Sequence, residues 1–202
     1  MRTREFDKDE VMMQVMTVFW RKGFIDTSID DLTKATNVSR SGLYGEFHNK
    51  KGLFLEAAKT YEKVVVDSVI GSIENKGLGL DGIQMVFEKV LSASARGNER
   101  LGCLICNASS EVSRYDNEIA TVVTKFHKRV REAFFQCLKV AQKRNELPAS
   151  VDISVKADFL LGAFQGLAHA IRSPMSTGAL TNYVAGVLAA ITLNNVTKKA
   201  LK

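Results

Sequence analysis

Proline occurs only twice in this 202-residue chain, at Pro148 and Pro174, and that scarcity limits the fold more than any other feature. Proline removes a backbone donor and clashes with the preceding turn, so its absence leaves long stretches free to form helices. Over most of the chain apolar residues recur every three or four positions, and the strict alternation of half-buried strands is scarce. The expected fold class is all-α.

The helices can be placed one by one. Residues 7–22 form the first, with Asp7 and Glu10 spaced as a capping box and Gly23 as its stop. Val11, Val15 and Phe19, with Met12, Met16 and Trp20, make its apolar face. Thr27 or Ser28 caps a short second helix with Ile29, Leu32 and Ala35 inward. Asn37 ends it, since asparagine tolerates a left-handed backbone. Ser39 caps the third helix, where Leu43 and Phe47 face the core and Val38 plugs the turn. Two short helices joined by about three residues make a helix-turn-helix.

Asn49 caps a fourth helix, about 50–70, with Leu53, Phe54, Ala57, Ala58, Tyr61, Val64 and Val65 as its stripe. A glycine-rich break, Gly71 to Gly82, follows. Five more helices are expected near 81–95, 103–113, 116–143, 153–172 and 177–193, and the closing NNVTKKALK should fray. The total is about nine helices, divided into a helix-turn-helix domain at 1–52 and a larger helical domain at 53–202.

The formal net charge of +6 suits an anionic partner, yet residues 1–63 carry 11 Lys/Arg against 10 Asp/Glu. If nucleic acid is bound, a few placed cations must do it. The opening MRTREFDKDE lacks the apolar core of a secretory signal. The apolar run from Val184 to Leu193 is far short of the roughly 20 residues that span a bilayer. Three cysteines do not make a disulfide framework. A cytoplasmic protein without a membrane partner is expected.

The stretch NVSRSGLYGEFHNKKGLF, residues 37–54, carries the functional signal. Gly42 and Gly45 each cost a helix roughly 1 kcal/mol against alanine. A contact surface gives a return for that cost, because a DNA major groove admits one helix and bulky outward side chains would hold it off the bases. Ser39 and Ser41 can donate to a phosphate at the helix N-terminus, and Arg40 and Ser41 can reach base edges. Tyr44 can place its hydroxyl on a phosphate, with His48, Lys50 and Lys51 beside the next one. Thr27 and Ser28 are candidates across the groove. The plain alternative takes Ser39 as a cap, Tyr44 with Phe47 as core and Lys50–Lys51 as a solvated turn. The chain is then a helical protein-interaction module without DNA binding.

The string V-S-x-x-x-L-Y-x-x-F-x-x-K-x-x-L from Val38 to Leu53, with Phe19, Gly23, Phe24, Ile29, Leu32 and Ala35, resembles the N-terminal domain of the TetR/AcrR family of bacterial transcriptional regulators. The resemblance is strong over residues 7–58, with Asn37 where the family's usual glycine stands. It implies a homodimer, double-stranded palindromic operator DNA, repression as the commoner mode, and release by a small hydrophobic or amphipathic ligand. No cofactor is implied, and the effector is unidentified. The dimer face expected on the last two helices is Leu160, Phe164, Leu167 and Ile171 with Leu180, Val184, Val187 and Ile191, and Gly162 with Gly166 lets a neighbour approach closely. By periodicity alone the same stripes serve equally as core. Met85, Cys103, Phe126, His127, Phe134 and Phe164 are candidates for the pocket.

Other motifs lead elsewhere. Gly77, Gly79 and Gly82 spell G-x-G-x-x-G with no preceding strand, so a nucleotide site is rejected. No H-E-x-x-H, G-x-S-x-G or Walker lysine occurs, and an enzyme is not expected. Cys103 and Cys106 form C-x-x-C without the βαβ context of a thioredoxin or enough further ligands for zinc. They are read as small apolar residues at a helix start, or as a thiol-based redox or electrophile sensor using Cys103 or Cys106.

Overall fold

The computed structural model describes residues 7–96, 99–112, 114 and 116–192, and every described element is helical. In chain order these are α1 (Lys8–Lys22), α2 (Ile29–Thr36), α3 (Arg40–Phe47), α4 (Lys50–Tyr61), a π-helical turn (Glu62–Val66) and α5 (Asp67–Val69). Then come α6 (Leu80–Arg96), α7 (Leu104–Glu111), α8 (Asn117–Lys143), α9 (Ile153–Arg172) and α10 (Thr177–Thr192). Because α4, the π turn and α5 run on as one rod, the expected count of about nine is met among the described residues. The expected helix ends at Ser113 and Leu193, and the NNVTKKALK tail, lie outside the described residues.

The chain forms two units. The first comprises residues 1–71 and 101–127, the second 72–100 and 128–202. The first is built on α1, which packs on α4 and α2, while α3 and α7 both pack on α4. Its centre is aromatic: Phe54 meets Phe19 edge-on at 5.3 Å and Phe24 at 5.2 Å. In the second unit α6, α9 and α10 pack together with the later turns of α8. There Phe87 of α6 stacks on Phe134 of α8, and Phe134 meets Phe164 of α9.

The caps follow the sequence. The Asp7 side chain accepts from the amides of Asp9 and Glu10, and Asn49 from that of Gly52. Ser28 and Asp31 form a reciprocal box, while Asn37 takes φ 53° and ends α2. Lys22, with the Ser28 amide and hydroxyl, holds the Asp31 carboxyl well below the usual carboxylate range, so the box stays charged in mild acid.

The inward assignments on α2 and at the end of the α4 rod need correction. Val64 is 45% exposed and Val65 half-buried, while Val66 is buried. The π turn closes i→i+5, so the residue that returns to the core after Tyr61 is five positions on. Ala35 is exposed and Thr36 buried in its place, because the Thr36 hydroxyl finds the Leu32 carbonyl at 2.8 Å. On α8, Ile119 and Val123 take the inner face and Val122 beside them is half-buried.

Candidate nucleic-acid interface

The α2–α3 turn is short because Asn37 reverses the chain and Ser39 starts the next helix at once, its Oγ accepting from the Gly42 amide at 3.2 Å. The outward side of α3 carries Arg40, Ser41, Gly45 and His48, all exposed, with Tyr44 half-buried between them. The Arg40 guanidinium lies over the Tyr44 ring, 5.4 Å from its centroid, which restrains both side chains in a surface position. Ser39 and Ser41 share a 3.1 Å hydroxyl contact. A side chain at Gly45 would meet open space. At Gly42 it would come within 2.9 Å of Val38, so that glycine has an internal reason that the surface reading missed.

The remaining expected contacts are committed elsewhere. Thr27 is a correction: its side chain is buried and its hydroxyl donates to the Gly23 carbonyl at 2.6 Å, closing the α1–α2 loop. Ser28 is exposed, yet its hydroxyl donates to Asp31 at 2.8 Å. Lys50 donates to the Ile25 carbonyl at 3.0 Å and lies over the Phe24 ring at 4.8 Å. Burial lowers its pKa, against Asp26 and Glu111, which raise it. Lys51 pairs with Glu118 at 2.5 Å and Asp116 at 3.4 Å, which raises its pKa.

Sequence reasoning missed the residues that brace this head. The Glu111 carboxylate accepts from the Phe24 amide at 2.8 Å and the Ile25 amide at 3.4 Å, and Gly23, at φ 84°, leaves room for it. The Trp20 indole donates to the Gly102 carbonyl at 3.1 Å. Glu111 and Gly102 are distant in sequence and show no local pattern, so only the fold reveals them. Glu111→Ala should lower stability by about 1–3 kcal/mol, because the Phe24 amide then loses a charged acceptor; urea unfolding measures it.

The residues expected at a dimer face contribute mainly to the core of their own chain. Leu160, Phe164, Leu167, Ile171, Leu180, Val184, Val187 and Ile191 are all buried within their own chain. Gly166 is small because the Tyr183 hydroxyl lies over it, 2.5 Å from where a side chain would begin. The outer side of α9 and α10 shows Phe159, Gly162, Asn182 and Gly186, exposed, around a groove of about 600 Å³ whose lining includes Gly162 and Val187 of the expected face. None of the expected pocket residues lines that groove. Phe134 and Phe164 belong to the aromatic core of the second unit, and Cys103 and Phe126 are buried in the first. Met85, which takes a hydrogen bond from Ser72 at 3.9 Å, and His127, whose pKa burial lowers, are half-buried. Among the described residues no group of three or more His, Cys, Asp or Glu side chains could hold a metal, and no helix is long and apolar enough to cross a membrane.

Two short capped helices at a tight turn, with the second presenting an uncrowded polar face, define a helix-turn-helix protein. The comparisons with known proteins are specific. The family described as Bacterial regulatory proteins, tetR family, matches residues 16–57, and Tetracyclin repressor-like, C-terminal domain, matches 79–187. The second match alone spans more than half of the chain, which belongs to the TetR family of bacterial transcriptional regulators.

Among relatives, the HTH-type transcriptional regulator YezE of Bacillus subtilis (strain 168) is 29% identical over 160 residues, covering 79% of this chain and 82% of that protein. The HTH-type transcriptional repressor ComR of Escherichia coli (strain K12) is 27% identical over 177 residues, covering 87% and 84%. Among solved structures, a cysteine mutant of the TetR family regulator CifR, complexed with 26-bp double-strand operator DNA, superposes with a TM-score of 0.83 at 22% identity, covering 94% of this chain and 99% of that one.

Proposed function

We propose that the chain is a homodimeric regulator, a repressor in its usual mode, that reads palindromic operator DNA with α3 and is released by a small hydrophobic or amphipathic inducer. The observation that carries this reading is the outward face of α3: Arg40, Ser41 and Tyr44 exposed or half-buried around the open Gly45. Residues 1–52 serve as the reading domain and 53–202 as the dimerisation and effector domain, with the rod that begins at α4 as the lever. Ser39 and Ser41 meet phosphate at the helix start, Arg40 reads a base edge and Tyr44 and His48 reach the flanking backbone. Lys50 and Lys51 hold the reading head together at rest and add positive charge near the phosphates. The operator in the CifR structure, and the repressor description of ComR, lend support from relatives. The dimer forms through the outer side of α9 and α10, around Phe159, Gly162, Asn182 and Gly186.

Selection of bound sites from random DNA, followed by gel shifts over a salt series, tests this. A palindrome should emerge, and affinity should fall steeply with salt as phosphate contacts release counterions. Arg40→Ala should relax preference at one base position by about 1–3 kcal/mol, whereas Lys50→Ala should weaken all sequences alike. Failure to enrich any sequence would favour the protein-interaction alternative.

A further inference from the structure

Cys103 and Cys106 open the helix that braces the reading head. Cys103 is the N-cap of α7 and Cys106 lies in its first turn. The Cys106 thiol and the Tyr61 hydroxyl both hydrogen-bond to the Cys103 sulfur. Burial opposes ionisation of Cys103, but these hydrogen bonds outweigh it and bring the pKa down to about 7. Cys106 moves the other way, because its proton is held in that bond and because it is desolvated. One thiol is thus ready to ionise and its neighbour is ready to supply a proton. Cys106 is partly exposed, which gives a small reagent an entry beside the buried Cys103. The third cysteine, Cys137, is buried in the other unit, and burial pushes its thiol up to about 11.

The neighbours of the pair lead straight to the reading head. Tyr61 is the last residue of α4, and its ring meets Trp20 of α1 edge-on at 4.9 Å. Trp20 in turn is bonded to Gly102, next to Cys103. At the far end of α7, Glu111 holds the loop that leads into α2. The segment from Gly102 through α7 therefore holds α1, α4 and the α1–α2 loop within a single unit.

The geometry points to Cys103 and Cys106 as a modification site, a dithiol that a peroxide-class oxidant converts to a disulfide, and to α7 as the element that carries this change to the reading head. The Cys103 thiolate attacks one peroxide oxygen and the O–O bond breaks; with one proton taken up, a sulfenic acid and water result. The Cys106 sulfur then attacks the Cys103 sulfur, the S–O bond breaks, and the thiol proton leaves with the hydroxide as a second water. Two thiols and one peroxide become one disulfide and two waters. Cys103, the extended N-cap, and Cys106, at the third helical position, are in hydrogen-bond contact through their sulfurs, and a disulfide draws the two Cβ atoms to about 3.8 Å. Closure therefore tightens the first turn of α7 and takes from Tyr61 its sulfur acceptor. Only the effect on DNA rests on the reading of the previous subsection; the thiol chemistry does not.

The test treats the full chain with hydrogen peroxide and reads peptide mass, the emission of Trp20 (the only tryptophan) and the gel shift on selected operator DNA. The expected result is a Cys103–Cys106 cross-linked peptide, a shifted Trp20 emission and an operator affinity about ten- to a hundredfold weaker. Dithiothreitol should reverse all three. C137A should keep them, and C106S and C103S should each lose them. If either variant misfolds, the wild-type peptide mass and emission still decide. Thiols left free by peroxide, or a disulfide without change in Trp20 emission, would overturn the proposal. A disulfide that leaves operator affinity unchanged overturns the coupling. Reduced protein that binds no DNA counts against the regulator reading alone, since mass and emission still report on the thiols.

Discussion

Replacing Phe134 with alanine should destabilise the protein by about 3–5 kcal/mol, the range for large aromatic deletions in a packed core. Phe134 is fully buried, stacks on Phe87 at 5.8 Å with planes 12° apart, and meets Phe164 edge-on at 6.4 Å. The three rings come from α6, α8 and α9, so one deletion unties three helices at once. Deleting the ring removes its contacts with both neighbours, and the cavity cost adds to the lost transfer energy. A typical domain has about 5–15 kcal/mol in total, so much of its stability rides on this ring. The adjacent Phe135 is the internal control. It is half-buried under Arg131 at 5.9 Å, and Phe135→Ala should cost about 1 kcal/mol. Urea midpoints of the two variants settle the matter: equal shifts would mean that the aromatic triad is not the centre of the second unit.

Much of this architecture was legible because helices announce themselves locally. Asp7, Ser28, Ser39 and Asn49 each cap the helix that follows, since capping needs only a side chain and an amide two or three residues away. Helix α9 matches its expected span, 153–172, for the same reason. The misses fall where a distant contact or a change of helical pitch decides. Nothing local announces the π turn at Glu62–Val66, which moved burial from Val64 and Val65 to Val66. Within the candidate interface, sequence placed Arg40, Ser41 and His48 on the surface, where the structure has them. It could not show that Lys51 is held by Asp116 and Glu118, or that Glu111 grips the Phe24 amide, because those partners are more than sixty residues away. The apolar stripe of α9 and α10 raises a different point. Periodicity finds the apolar side of α9 and α10, and a helix in a bundle spends that side on its own core before any partner arrives.

Gly162→Arg should convert the dimer to a monomer and weaken operator binding by on the order of a hundredfold or more, because two half-sites no longer share one linked binder. Gly162 is exposed, and a side chain there meets no atom within 4 Å, as at Gly186. The variant can therefore fold as a single chain; a helical melting curve matching wild type would establish that. In a two-fold dimer the same patch faces itself, so one arginine per chain brings two cations into a close-packed seam. Phe159 stands beside it with 45% of its surface exposed, a large apolar ring with no intrachain need to face water. Phe159→Glu should therefore repeat the loss by a different chemistry, desolvation of a carboxylate in place of bulk. Sedimentation separates the species directly. A Gly162→Arg protein that stays dimeric and keeps its operator affinity would remove the outer side of α9 and α10 from the mechanism.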